Sequence, residues 1–128
     1  GNCRLQMMEL GFEEEHYAEL YSLITGRSKS WQDLLKISER IWQLTRAFSV
    51  REIKGFGRHL DFPPARLYED PIADGPNQGH VIAQEDINQL LTWYYAARGW
   101  SDNGIPTKEA LTAVGLSEVA EDLAVKGL

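Results

Sequence analysis

One cysteine, three histidines and a run of arginines are the side chains whose chemistry has to be weighed first. His16, His59 and His80 are far apart in the chain. No pair has the i, i+4 spacing that would put two imidazoles on one helix face for a metal, so each reads as a surface or loop histidine. Ser22, Ser49 and Ser101 have no nucleophile-elbow context. Gly55 and Gly57 flank Phe56 without the rest of a dinucleotide fingerprint and read as turn glycines. Arg46, Arg51, Arg58 and Arg66 leave two readings open. Their guanidiniums can grip a phosphate or carboxylate bidentately, or they can pair with Glu52, Asp61, Glu69 and Asp70. No set of residues supplies a nucleophile with its base, and no catalytic residue is assigned. Cys3 is the remaining reactive group. A lone cysteine usually packs as a small hydrophobe, yet a position beside the first residue is seldom a well-packed core site.

The composition bounds what such residues can be part of. At 128 residues, 43% hydrophobic and 25% charged, the chain fits one globular domain able to bury a core without staples. Its net charge of −6 argues against a nucleic-acid partner, because neutralising phosphates needs a basic face. No apolar run approaches the roughly 20 residues of a membrane span, and no secretory leader is expected. One cysteine cannot form an internal disulfide, so the expected compartment is the cytoplasm.

The elements that must position these residues are helical. Residues 13 to 25 carry Tyr17, Leu20, Tyr21 and Ile24 at spacings of three and four, with glutamates in the first turn and Gly26 placed to stop the helix. A second, central helix follows Ser30, an N-cap candidate with Asp33 able to reach back to it. Its apolar stripe is Trp31, Leu34, Leu35, Ile41, Trp42, Thr45 and Phe48, widened by Ile37 and Leu44. A helix apolar over so much of its circumference is expected to pack on more than one side. Residues 53 to 83 hold four of the five prolines and break the periodicity. They read as one long loop with short turns, and its Phe56, Leu60, Phe62, Leu67 and Tyr68 argue that it drapes over the protein. A third helix runs from about Gln84 to Arg98 with Ile87, Leu90, Leu91, Tyr94 and Tyr95 as its buried face, closed by Gly99. Thr107 caps a short helix ending at Gly115, and Ser117 is expected to cap the last.

Between these helices lies "RGWSDNGIPT". Asp102-Asn103-Gly104 is turn chemistry with a glycine free to take positive φ, and Pro106-Thr107 opens a helix. Trp100 and Ile105 are then held side by side as apolar plugs of a packed corner.

Three segments carry a family resemblance: "GNCRL", "ITGRSKSWQDLLKISERIWQLTRAFSVRE" and "GPNQGHVIAQEDINQLLTWYYAARGWSDNGIPTKEALTAVGL". Together they resemble the C-terminal helical domain of the tungsten-containing aldehyde:ferredoxin oxidoreductases. That family shows a cysteine shortly before a helix, a "RAFNVRE"-like helix end, a "GP-x-x-G" and a "RGW…GIPT" run. Order and approximate spacing agree from Cys3 to Leu116. Ser49 stands where the family usually has asparagine, and Ser101 follows "RGW" in place of aspartate.

The resemblance implies an all-α, multi-helical orthogonal domain with a long central loop, residues 1–128, from an oxidoreductase whose pterin-binding and middle domains lie elsewhere in the polypeptide. It implies oxidation of an aldehyde to a carboxylate at a tungsten (or molybdenum) bis-pterin, with electrons passing through a [4Fe–4S] cluster to ferredoxin. Cys3 matches the fourth cluster ligand and Asn2 a position adjacent to the pterin. The domain would wall the cofactor cavity, with other domains of the parent, ferredoxin and the aldehyde as partners. The isolated chain is expected to be inactive and to hold no cofactor, and a bare apolar patch is expected where a partner domain has been removed. The alternative is a free-standing helical binding module that holds a partner protein through its acidic surface or an exposed Tyr94–Trp100 corner. A small independent enzyme is the weakest reading, because no catalytic constellation is present.

Overall fold

A computed structural model describes residue 11 and residues 13–127. The order is α1 (Glu14–Thr25), α2 (Trp31–Glu52), a 3-10 turn (Arg58–Asp61), α3 (Arg66–Glu69), α4 (Gln84–Arg98), α5 (Lys108–Ala113) and α6 (Ser117–Val125). The chain is all-α as expected, with no strand among the described residues; one isolated antiparallel bridge joins Trp100 to Pro106. No described helix is long and apolar enough to cross a membrane. Two compact units result, Gly1–Trp42 and Gln43–Leu128, and their boundary falls inside α2.

In the first unit, α1 starts on Glu14 and Glu15 and ends at Gly26, whose φ of 68° lets its N–H reach the Ser22 carbonyl. The start of α2 is a capping box. The Asp33 backbone N–H donates to Ser30 Oγ, and the Ser30 backbone N–H and hydroxyl donate to Asp33 Oδ2. The Ser30 hydrogen bonds hold the Asp33 carboxyl below its usual range. Tyr17 and Trp31 meet with ring centroids 5.6 Å apart. No described residue of this unit is fully buried.

In the second unit, Ala47, Val50, Leu111, Leu116, Ala120 and Leu123 form the core, with Phe56, Ile105, Val114 and Val119 against it. The buried face of α2 is therefore Gln43, Ala47 and Val50, and not the large apolar stripe. Leu35, Ile37, Ile41, Trp42, Leu44 and Phe48 are all exposed. The small Ala47 and Val50 are the α2 residues that join the core residues of α5 and α6. On α4, Ile87 and Tyr95 are buried as expected, but Leu90 and Tyr94 are exposed and Leu91 is only partly covered. The loop from 53 to 83 is long and irregular as expected. Its turns are pinned by Ile72 N–H to the His80 carbonyl, Gly79 N–H to the Ile72 carbonyl and Ile82 N–H to the Leu67 carbonyl.

Helices α4 and α5 both end in paired hydrogen bonds around a left-handed glycine. Trp100 N–H returns to the Tyr95 carbonyl past Gly99, and Leu116 N–H to the Leu111 carbonyl past Gly115. The second of these fixes Leu116 as the residue preceding α6, so Ser117 is its first helical residue and not its cap. Thr107 does cap α5, accepting from Ala110 N–H at 3.2 Å.

Candidate functional site

A densely connected polar site is built where α2, the 3-10 turn and α4 meet the corner at residues 100–107. Helix α2 sends Gln43 and Arg46 inward, one turn apart. The 3-10 turn supplies Arg58 and Asp61, and α4 supplies Tyr95. The corner folds tightly on itself: Ser101 N–H donates to the Ile105 carbonyl and Gly104 N–H to the Ser101 carbonyl, each at 2.8 Å.

Arg46 grips both oxygens of Asp61, with Nη1 at 2.8 Å from Oδ1 and Nη2 against Oδ2, and its Nε donates to the Gly104 carbonyl at 2.7 Å. Its guanidinium lies between aromatic faces, 4.5 Å from the Phe56 ring centre and 4.4 Å from that of Trp100. Tyr95 donates its hydroxyl to Asp61. Arg58 covers the outer side of the Tyr95 ring and ties the 3-10 turn to the Asn88 side chain and carbonyl, to Thr92 Oγ1 and to the Asp102 carbonyl. Beneath this network, Gln43 is 2% exposed and satisfied at both ends. Its amide donates to the Arg98 carbonyl and its carbonyl oxygen accepts from Trp100 Nε1, each at 2.8 Å.

Burial pushes the Asp61 carboxyl up, but the hydrogen bonds from Arg46 and Tyr95 and the charges of Arg46 and Arg58 outweigh it, leaving Asp61 below the ordinary value. Burial, followed by the hydrogen bond to Asp61, pushes the Tyr95 hydroxyl up to about 12. Tyr95 therefore favours the folded state while protonated. Its contribution is complete below pH about 10, the unfolded value, and is lost as pH rises toward about 12. Asp61 works at the other end: its contribution is present above the ordinary carboxylate value and is lost as pH falls through its lowered folded value. Tyr95→Phe is accordingly expected to flatten the loss of stability between pH 10 and 12 by about 2–3 kcal/mol, measured by urea unfolding across that range. An unchanged alkaline slope would show that Tyr95 ionises normally.

The open question of the arginines is settled by these contacts for three of the four. Arg46 pairs with Asp61, Arg51 with Glu52 (2.6 Å) and Asp122 (3.7 Å), and Arg58 with neutral oxygens. The four do not converge on an anion site. Arg66 is exposed and lines a surface groove of about 720 Å³ with Leu67, Asp70, Asn77 and His80. His16, His59 and His80 are exposed, and no group of three or more His, Cys, Asp or Glu able to hold a metal occurs among the described residues. Asn2 and Cys3 lie outside the described residues. Trp100 is 6% exposed and Ile105 packs against the core, so both are plugs as expected. The exposed Tyr94–Trp100 corner is thereby corrected: only Tyr94 reaches the surface, with Trp100 edge-on beneath it at 5.5 Å. Gln43 escapes sequence reasoning because one glutamine in an amphipathic helix carries no periodic signal. A glutamine flanked by the two widest apolar arcs of a helix is the hint that was available.

The arrangement itself contains no nucleophile with its base; chemically, it locks the corner to the two helices. Comparison with known proteins relates the chain as a whole to a family. The family model described as "Aldehyde ferredoxin oxidoreductase, domains 2 & 3" matches residues 1–116. The tungsten-containing aldehyde ferredoxin oxidoreductase of Pyrococcus furiosus is 34% identical over 118 residues, covering 92% of this chain and 18% of that protein. The aliphatic sulfonate oxidoreductase WOR-like subunit of the same organism is 35% identical over 66 residues, covering 52% of this chain and 10% of that protein. Among solved structures, the active site complex BamBC of benzoyl coenzyme A reductase with 1,5 dienoyl-CoA superposes with a TM-score of 0.71 at 30% identity, covering 90% of this chain and 16% of that one. The chain thus spans less than a fifth of the length of these relatives.

Proposed function

The chain belongs to the aldehyde ferredoxin oxidoreductase family, and on that footing we propose that it is the C-terminal helical portion of a longer oxidoreductase. The match across residues 1–116 carries this reading. In the parent, residues 1–128 act as one helical domain that walls a tungstopterin cavity, while the pterin-binding and middle domains come from the rest of the polypeptide. When bound, the tungsten (or molybdenum) bis-pterin and a [4Fe–4S] cluster supply the two-electron oxidation of an aldehyde to a carboxylate and the path for electrons to ferredoxin. Relatives named for an aliphatic sulfonate and for a dienoyl-CoA complex leave the aldehyde's identity open.

The donor chemistry of the chain fits a shared cluster. Such a cluster takes four thiolates, and this sequence holds one cysteine, so the chain supplies at most one ligand. Cys3 would be that ligand, and Asn2, its neighbour in the sequence, would be the residue that contacts the pterin. Apolar helices of the domain would keep water from the cluster and so tune its potential through local polarity. The isolated chain is inactive on this reading, and the parent works in the cytoplasm, where an unpaired thiol is maintained.

Two measurements test the proposal. An antibody against this domain, applied to extract of the source cells, should mark a polypeptide several times heavier than 14.5 kDa. A band at 14.5 kDa would replace the enzyme reading by that of a free-standing binding module. Cys3→Ser in the parent-length protein should lose cluster iron and its visible absorption, and full retention of iron would remove Cys3 from the ligand set.

A further inference from the structure

A groove of about 560 Å³ runs between the second half of α2 and α6. Leu44, Ala47, Phe48, Val119 and Leu123 make its apolar floor. Phe48 is 57% exposed and Leu44 45% exposed, although both project from the helix that carries the core of this unit. A phenylalanine and a leucine left bare on a core helix mark a face that is normally covered. The rim is charged, and unevenly so. At one end Arg51 is already taken up by Glu52 and Asp122. Along the α6 edge stand Glu118 and Asp122, and Lys126 pairs with Asp122 at 3.6 Å. Glu118 lines the groove itself and has no ion pair among the described residues. An apolar floor with a net acidic edge fits an apolar segment that carries a lysine or arginine on one side. It also has the mixed character expected of contacts between domains of one chain.

We propose that the α2–α6 groove seats an apolar, base-bearing segment contributed by the part of the parent polypeptide outside these 128 residues. The relatives are more than five times longer than the stretch matched here, so such a segment is at hand in every copy. The inference rests on the reading of the chain as part of a longer oxidoreductase. It goes beyond that reading in naming the face and the chemistry of what covers it.

The test uses the parent-length protein. Hydroxyl-radical footprinting should find Leu44 and Phe48 protected several-fold more than the exposed Trp93, which lies outside the groove. Carbodiimide coupling should join Glu118 to a lysine outside residues 1–128 of the same polypeptide, read by mass spectrometry. Oxidation of Phe48 at the rate of Trp93 in a long parent overturns this inference and leaves the parent reading standing. Coupling to a lysine of a second, isotopically distinct copy makes the groove a self-association face and overturns it too. A native polypeptide of 14.5 kDa removes both readings together.

Discussion

Arg46→Ala is expected to cost about 3–5 kcal/mol of folding stability, the range for breaking a largely buried ion pair from one side. Asp61 would keep its charge with only the Tyr95 hydroxyl as a close donor and the Arg58 charge nearby, and the Gly104 carbonyl would lose its side-chain donor. The facing rings of Phe56 and Trp100 would lose the cation between them. Against a total of about 5–15 kcal/mol for an ordinary domain, this leaves the second unit marginal. Urea unfolding followed by tryptophan fluorescence is the appropriate readout, since Trp100 lies in the network. Arg46→Lys separates charge from shape: an ammonium keeps the attraction but cannot hold both Asp61 oxygens and the Gly104 carbonyl at once, so it should recover only part of the loss. The double variant Arg46→Ala with Asp61→Ala should lose less than the sum of the two single changes. A loss below about 1 kcal/mol for Arg46→Ala would mean that the pair behaves like an exposed one.

Gly104→Ala is the second change with a large expected effect, for two separate reasons. The residue sits at φ 72°, where an L side chain is strained. An added Cβ would also meet Arg46 Nη2, and the phenol carbon and oxygen of Tyr95 at 2.9 Å. Strain and overpacking together are expected to cost about 2–4 kcal/mol. Because the collision is with the lock itself, the damage should appear in the lock as well as in the turn. The alkaline transition assigned to Tyr95 should move down toward pH 10 in this variant. Gly55→Ala is the control, since its φ of 74° gives the same backbone strain with open space around the new methyl. If the two variants were equally destabilised, the collision with Arg46 and Tyr95 would contribute nothing.

These two changes show where the sequence and the structure part company. The Asp102-Asn103-Gly104 turn and the Pro106-Thr107 helix start are readable because backbone conformation is a local property of glycine, proline and capping side chains. The same holds for the Ser30–Asp33 box and for α4, whose limits Gln84 and Arg98 agree with the expected ones. Partner choice is not local. Arg46 had Glu52, Asp61, Glu69 and Asp70 within reach along the chain, and only the path of the 53–61 segment brings Asp61 beneath it. Gln43 became central because Trp100 and the Arg98 carbonyl arrive at its two ends from residues more than fifty positions away.

Helix α2 gives the same lesson through burial. Its periodicity announces a helix with apolar residues over most of its circumference, and the expectation that it packs on more than one side follows from that alone. Which side faces this chain's own core cannot be read from hydrophobicity, because both arcs are apolar. The tertiary structure decides for the narrow arc of Ala47 and Val50, which joins the core residues of α5 and α6, and leaves Leu44 and Phe48 exposed.

By itself, then, the sequence determined the all-α class, most helix limits, the caps at Ser30 and Thr107 and the turn chemistry, and its motifs carried the family, because each depends on residues close together in the chain. Only the tertiary structure decided which arginine meets which acid, which face of α2 is core, and that Trp100 is sealed inside while Tyr94 lies outside it. Those outcomes are set by contacts between distant segments, where packing and desolvation select one pairing among several that the sequence permits.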